Sequence, residues 1–205
     1  LSHHCCKKIN SWAIMRLIKA KKLYFLSIIL TIILSALTFS SAVSSADSKP
    51  SLLLFKTIDE RLGYMKDVAL FKAQNQIQVE DIEREKIVLS NAKKLAVRHG
   101  LDPNSMEHFF IAQINAAKAI QYRFRAELLT LEIPARSVDL ESNIRPALDQ
   151  LGSDIVALFA TLLQNQSAVK EENRKIFIRT LQSQLLSEVE REALFDAMLE
   201  VRSSQ

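Results

Sequence analysis

Several charged side chains occur in an apolar, helix-like pattern at positions that should face a protein core. Arg61 and Lys72 fall on one helical stripe, three turns apart. The next segment opens with the charged run Val79-Glu80-Asp81-Ile82-Glu83-Arg84-Glu85. A cation that faces a core needs an anionic partner there. The sequence therefore predicts a small buried pocket for a ligand with two negative charges, to which Gln121 and Arg145 also contribute.

Each of these residues has an ordinary explanation when it is taken singly. Arg61 beside Asp59 or Glu60 is typical of a solvated ion pair. Lys72 fits a lysine whose stem covers the edge of the core, and acidic residues near a helix start favour the helix dipole. Gln121 is harder to explain in this way, because a buried amide needs hydrogen-bond partners. The joint pattern favours the functional interpretation.

Residues 1–46 are typical of an export signal. Met15 is a plausible start and is followed by basic residues, an apolar run from Leu23 to Phe39 and the small-residue exit Ser44-Ser45-Ala46. The alternative is an uncleaved membrane anchor, because the run is close to the ~17 residues that span a bilayer. We expect an exported protein, periplasmic or secreted, with no membrane association after cleavage.

Removal of this segment changes the electrostatic interpretation. Six of the 27 basic residues and none of the 23 acidic residues precede Asp47, which leaves 21 basic and 23 acidic residues. The remaining net charge of −2 gives no argument for nucleic-acid binding. Both cysteines, Cys5 and Cys6, lie with His3 and His4 in the removed part. His99 and His108 have no second ligand nearby, so we expect no metal site.

The remaining 159 residues predict one all-α domain, since they carry only three glycines and long periodic stretches. A break between Thr130 and Val138 separates a catalytic part, 47–130, from a C-terminal helical extension, 131–205. Gly100 followed by Asp102-Pro103 predicts a helix end and a helix start. The predicted helices run from Ser51 to Gln74, from about Glu80 to His99, from Pro103 to Leu129, from Asp139 past Leu162, from Val169 to Leu186 and from Ser187 to Arg202.

The spacing of Arg61, Lys72, Asp81, Arg84, Glu85 and Gln121 resembles the active site of the AroQ-class chorismate mutases. The resemblance covers Phe55 to about Phe124 and includes the Gly100-Leu101-Asp102-Pro103 turn. The signal segment, the helical extension and Arg145 are similar to the exported gamma subclass. In that subclass an arginine from the C-terminal half completes the site within one chain, and Arg145 matches it.

The resemblance implies a type II-like bundle of about six helices, with the active site inside one chain and a homodimeric assembly. It implies that the substrate is chorismate, which rearranges to prephenate without a cofactor. Arg61 and Arg145 would bind the carboxylates with support from Arg84, and Lys72 would contact the ether oxygen and a carboxylate. Gln121 would donate to that oxygen from the other side. Asp81 and Glu85 would orient Arg84 and Lys72 and receive the substrate hydroxyl.

Ala117 departs from the family pattern, because serine or threonine is usual there. A hydrogen bond to a substrate carboxylate, worth ~1–2 kcal/mol, is lost with that hydroxyl. Two other functions stay open. Isochorismate pyruvate lyase resembles the same scaffold, and a non-catalytic exported protein could bind chorismate-like dianions without turnover.

Overall fold

Seven α-helices follow one another in the computed structural model, which describes residues 48–130 and 137–204. The described residues belong to a unit that begins at Asp47. The predicted signal segment and most of the predicted break lie outside the described residues. The helices are α1 (Ser48–Gly63), α2 (Met65–Gln74), α3 (Ile82–Arg98), α4 (Pro103–Glu127), α5 (Arg145–Gln164), α6 (Arg174–Thr180) and α7 (Glu188–Leu199); a π-helical turn, Leu140–Ile144, precedes α5, and a 3-10 turn, Glu171–Asn173, precedes α6.

The turn between α3 and α4 confirms the predicted helix end and start. Gly100 has a positive φ of 72°, a conformation that disfavours residues with a Cβ. The Asp102 side chain accepts a hydrogen bond from the Asn104 backbone N–H at 2.9 Å, and Pro103 occupies the first turn of α4. The C-terminal residues pair with this turn through an isolated bridge between Leu101 and Ser203. The described residues contain no other β-structure.

The predicted first helix is in fact two helices, and this boundary was wrong. The first helix ends at Gly63 and the second begins at Met65, with Tyr64 in a turn between them. Glycine has the lowest helix propensity after proline, so a helix is easily interrupted beside it. The Tyr64 carbonyl still accepts from the Val68 N–H at 3.0 Å, and the backbone of Tyr64 keeps right-handed helical φ and ψ. Arg61 and Lys72 therefore still reach the same cavity, although they belong to different helices.

The predicted helix from Val169 to Leu186 was also wrong in its length. Only the 3-10 turn and the seven residues of α6 are helical there, and an irregular segment runs to Ser187. The Arg191 guanidinium donates to the backbone carbonyls of Leu181 and Ser183 in this segment, and to that of Ile178 near the end of α6. Carbonyls satisfied by a guanidinium do not need a helical partner. A distant side chain therefore stabilises a non-helical conformation that local periodicity does not predict.

Two aromatic clusters mark the core. Phe55 packs edge-on against Phe177, which also contacts Phe195 and so joins α1 to α6 and α7. Phe109 packs edge-on against both Phe110 and Phe159, which joins α4 to α5. Edge-to-face pairs of this kind stabilise a core beyond the area that they bury. The two clusters thus attach the C-terminal helices to those that carry Arg61 and Gln121.

The segment Leu140–Gln164 is long and apolar enough, by length and composition alone, to cross a membrane. Its apolar residues Leu151, Ile155, Val156 and Phe159 are buried in the bundle. A core helix of a helical protein has the same composition. The all-α fold predicted from the sequence is confirmed, with the C-terminal helices packed against α1, α3 and α4.

Substitution of Phe109 by alanine is expected to destabilise the fold by about 3–5 kcal/mol, because it leaves a cavity between α4 and α5. Urea denaturation followed by circular dichroism measures this change. Tyr122→Ala on the same helix is the control, since Tyr122 is exposed and its loss should change stability by about 0.5 kcal/mol at most. Equal stabilities of the two variants would contradict this account of the core.

Candidate active site

Predicted site residues from both halves of the chain line one cavity. Its volume is about 650 Å³, including the open mouth. Its apolar wall comes mainly from Met65, Val68, Val88, Ile114 and Leu148. Five cations and two carboxylates also line it: Arg61, Lys72, Arg84, Lys118, Arg145, Asp81 and Glu85. Gln121 adds an amide. Lys118 was not among the predicted residues. The seven that were predicted all line this cavity: Arg61, Lys72, Asp81, Arg84, Glu85, Gln121 and Arg145.

Arg61 is the most deeply buried of these cations. Its side chain projects from the last turn of α1, and the residue is 6% exposed. Its Nη1 donates to Gln113 Oε1 at 2.9 Å, and its guanidinium carbon lies 5.7 Å from the centre of the Phe110 ring. Burial lowers the pKa of Arg61 to about 10, an effect that Asp149 opposes and Arg84 reinforces. Arg61 is therefore a cation at neutral pH, and no carboxylate of residues 48–130 or 137–204 is in direct contact with it.

Lys72 reaches the cavity from α2 and is also buried. Its ammonium donates to the Val79 carbonyl at 2.6 Å, which ties the end of α2 to the segment before α3. Burial lowers the pKa of Lys72, with Arg145 and Arg125 acting in the same direction and Asp81 and Glu85 opposing them. An ammonium has three N–H donors, so two remain for other partners.

Arg145 connects the C-terminal half to the start of α3. Its Nη2 donates to Asp81 Oδ2 at 3.0 Å, and its Nη1 forms an ion pair with Glu141. Asp81 caps α3 at the same time, since its Oδ1 accepts from the Arg84 backbone N–H at 3.1 Å. The Asp81 carboxylate therefore caps the start of α3 and also binds Arg145, which lies 64 positions further along the chain.

The partners of Arg84 and Glu85 differ from those that the sequence predicted. Arg84 forms its ion pair with Asp149 of α5, and Asp81 contacts only its backbone. Glu85 accepts from Lys118 Nζ at 3.3 Å and acts on Lys72 only through its charge. Among the described residues neither carboxylate contacts the Arg84 guanidinium or the Lys72 ammonium, so the orienting role of Asp81 and Glu85 stays a prediction. The tertiary contact with α5 supplies a carboxylate that no local pattern reveals.

Gln121 and Ala117 lie one turn apart on α4 and both line the cavity. Gln121 Nε2 donates to the Ala117 carbonyl at 3.3 Å and lies 3.7 Å from Met65 Sδ. Its Oε1 is buried without a hydrogen-bond partner among the described residues. The acceptor is therefore free for a ligand, and the weak N–H···S contact with Met65 is the donor that a ligand oxygen can replace.

Sequence reasoning missed Lys118, which follows Ala117 and lines the cavity. A signal was present, because Lys118 falls four positions after Ile114 and three before Gln121, both of which face inward. It missed Gln113 as well. Gln113 is fully buried on the same face of α4, where a polar residue needs a specific partner.

This arrangement suits a small anion with two negative groups. Guanidinium forks bind carboxylates in two parallel hydrogen bonds, and the ammonium and amide are donors that can face a third point of the ligand. Among the described residues, no group of three or more His, Cys, Asp and Glu side chains could hold a metal ion. The chemistry available to these side chains is electrostatic, through fixed donors directed at developing charge.

The chain resembles known proteins along most of its length. The model of the family "Chorismate mutase type II" matches residues 52–122. A secreted chorismate mutase from Yersinia pestis is 35% identical over 145 residues, which cover 71% of this chain and 78% of that protein. A monofunctional chorismate mutase from Enterobacter agglomerans is 31% identical over 164 residues, or 80% of this chain and 88% of that protein.

Solved structures that resemble this fold are also chorismate mutases. The crystal structure of the secreted chorismate mutase from Yersinia pestis superposes with a TM-score of 0.68 at 34% identity, covering 74% of this chain and 97% of that one. The chorismate mutase from Burkholderia thailandensis gives a TM-score of 0.60 at 25% identity, covering 73% and 96%. These comparisons place the chain in the class of all-α enzymes to which these chorismate mutases belong. The chain belongs to the type II chorismate mutase family.

Substitution of Lys72 by methionine is expected to leave the fold as stable or to stabilise it by about 1 kcal/mol. Since burial lowers the pKa of Lys72 below its unfolded value, the folded state binds this proton less tightly, and at neutral pH the charge destabilises the fold. Methionine keeps the length and removes the charge. Chemical denaturation at pH 7 measures the difference.

Lys56→Met is the matched control, because Lys56 is exposed on α1. It should change stability by about 0.5 kcal/mol at most. A clear loss of stability in Lys72→Met would show that the hydrogen bond to the Val79 carbonyl outweighs the cost of burying the charge.

Proposed function

We propose that this cavity binds chorismate and rearranges it to prephenate by a concerted Claisen shift. The carbon–oxygen bond of the ether breaks while a carbon–carbon bond forms, and negative charge grows on the ether oxygen. The convergence of Arg61, Lys72, Gln121 and Arg145 on one cavity from four different helices carries this proposal. The identity of the substrate, chorismate, is inferred from membership of the type II chorismate mutase family.

In the proposed complex the guanidinium groups of Arg61 and Arg145 bind the two carboxylates and hold the compact conformer. Arg84, anchored by Asp149, adds positive charge beside Arg61. Lys72 and Gln121 donate to the ether oxygen from two sides, and fixed donors of this kind are worth several kcal/mol in the transition state. Asp81 and Glu85 receive the substrate hydroxyl. Lys118 lies beside Ala117, where family members carry a hydroxyl, and adds a cation on that side of the cavity.

The chain organisation belongs to the same proposal. Residues 47–130 form the catalytic part, and residues 131–205 form an extension that packs on it and provides Arg145. Residues 1–46 act as a cleaved export signal, in keeping with the secreted relative from Yersinia pestis. The enzyme is periplasmic or secreted and acts as a homodimer, which light scattering during size-exclusion chromatography tests.

Loss of the chorismate absorbance band with purified residues 47–205 is the direct test of the activity. Lys72→Ala and Arg145→Ala are expected to lower kcat/KM by about 100-fold or more, since each removes a donor to the reacting anion. Lys56→Ala, on an exposed face of α1, is the control and should match the parent. If the Lys72 and Arg145 variants are as active as the parent, the site assignment is refuted. If the protein turns over isochorismate and not chorismate, it is an isochorismate pyruvate lyase.

The neutral amide at position 121 predicts activity that is nearly flat from about pH 5 to 8, where an amide does not titrate. Gln121→Glu should convert this profile to one that declines as the pH rises, because a carboxyl group donates only while it is protonated. The pH dependence of kcat for both proteins measures the effect. A steep loss of kcat above neutrality in the parent would contradict the role of Gln121.

A further inference from the structure

Gln113 is a fully buried amide whose function in the bundle needs an explanation. It lies on α4, it is 0% exposed, and it does not belong to the lining of the cavity. Its Oε1 accepts the hydrogen bond from Arg61 Nη1 at 2.9 Å. Among the described residues, this is the hydrogen bond that holds the Arg61 guanidinium. Gln113 therefore touches the cavity only through Arg61.

The chemistry of this contact is unusual for a buried guanidinium. Arginine in an interior is ordinarily paired with a carboxylate, which cancels its charge. Here the direct contacts of Arg61 are an amide oxygen and the face of the Phe110 ring, and neither carries a formal charge. The nearby carboxylate, Asp149, forms its ion pair with Arg84. The positive charge of Arg61 is thus held in place without being neutralised by a bonded anion.

Two further atoms show that the contact is not built for stability alone. Arg61 Nε and Gln113 Nε2 are both buried without a hydrogen-bond partner among the described residues. Unsatisfied buried donors lower stability, and native proteins contain few of them. A glutamate at position 113 would pair with the guanidinium and would remove one of these two donors.

We propose that Gln113 is a positioning residue that fixes the Arg61 guanidinium for a substrate carboxylate without pairing it with a carboxylate of the protein. This inference rests on the function proposed above. The amide oxygen sets the orientation of the fork, and its neutrality keeps the attraction for an anionic ligand. Gln113 contacts neither the substrate nor the reacting atoms, so its effect is on substrate binding through Arg61.

Two substitutions of Gln113 distinguish the effect of its acceptor oxygen, which orients the Arg61 guanidinium, from the effect of its lack of charge. Gln113→Glu keeps the acceptor and the shape but adds a negative charge, so the KM for chorismate should rise by about tenfold or more. Because Lys72 and Gln121 are unchanged, kcat should fall by a smaller factor than KM rises. Gln113→Met removes the acceptor and leaves the charge of Arg61 intact, so its KM should rise by less, about threefold.

Salt dependence gives a readout that a merely structural residue would not alter. Screening by added salt weakens the attraction between a cationic site and a dianion. The KM of the parent should therefore rise more steeply with ionic strength than the KM of Gln113→Glu, whose site has lost one net positive charge. Gln184→Glu is the matched control, because it adds the same charge at an exposed position and should leave KM and its salt dependence unchanged.

The measurements use residues 47–205, with circular dichroism to establish that each variant is folded. A KM for Gln113→Glu equal to that of the parent, or no higher than that of Gln113→Met, would overturn the inference. If Gln113→Glu does not fold, Gln113→Met decides, and an unchanged KM in that variant overturns the inference.

Failure of the proposed function is recognised separately. If the parent binds chorismate in calorimetry but does not turn it over, the proposed mutase activity fails. The role of Gln113 is then decided from Kd in place of KM: a Kd for Gln113→Glu equal to that of the parent, or no higher than that of Gln113→Met, overturns the inference. If the parent turns over chorismate and the two KM values agree, only the inference on Gln113 fails. A parent that neither binds nor converts chorismate overturns both.

Discussion

The burial of cations beside neutral partners is the constraint on which this structure depends. Arg61 is held by an amide and an aromatic ring, and Lys72 is held by a backbone carbonyl. Removing a cation from water without pairing it with an anion is costly, as the lowered pKa of both groups indicates. The surrounding helices must therefore be stable enough to hold charges that the fold alone does not require. In the proposed reaction the substrate carboxylates provide the missing anions.

The more exposed cations around the cavity are arranged differently. Arg84 pairs with Asp149, Arg145 pairs with Asp81 and Glu141, and Lys118 pairs with Glu85. These ion pairs are partly exposed and contribute little stability individually. Their value lies in orientation, because each joins two segments that are distant in sequence or fixes a side chain at a helix start. The cavity thus combines two inner cations that form no ion pair among the described residues with an outer set of ion-paired cations.

The C-terminal half serves the cavity through a few specific contacts. Asp149 and Arg145 of α5 reach the start of α3, and the two phenylalanine clusters attach α5, α6 and α7 to the helices that carry the inner cations. The residues that line the cavity come from both halves of one chain. That the site is completed inside a single chain stays a prediction, as does the role of each residue in catalysis.

The sequence by itself determined the all-helical class and the helix boundary at Gly100 to Pro103, because periodicity and capping act over a few neighbouring residues. The seven polar residues that meet at the cavity followed from their joint spacing and its resemblance to a known family. Only the tertiary structure decided the partners. Asp149 for Arg84, Gln113 for Arg61 and Lys118 for Glu85 are each separated by more than 30 positions. The irregular segment held by Arg191 was likewise not predictable, since long-range hydrogen bonds override local propensity.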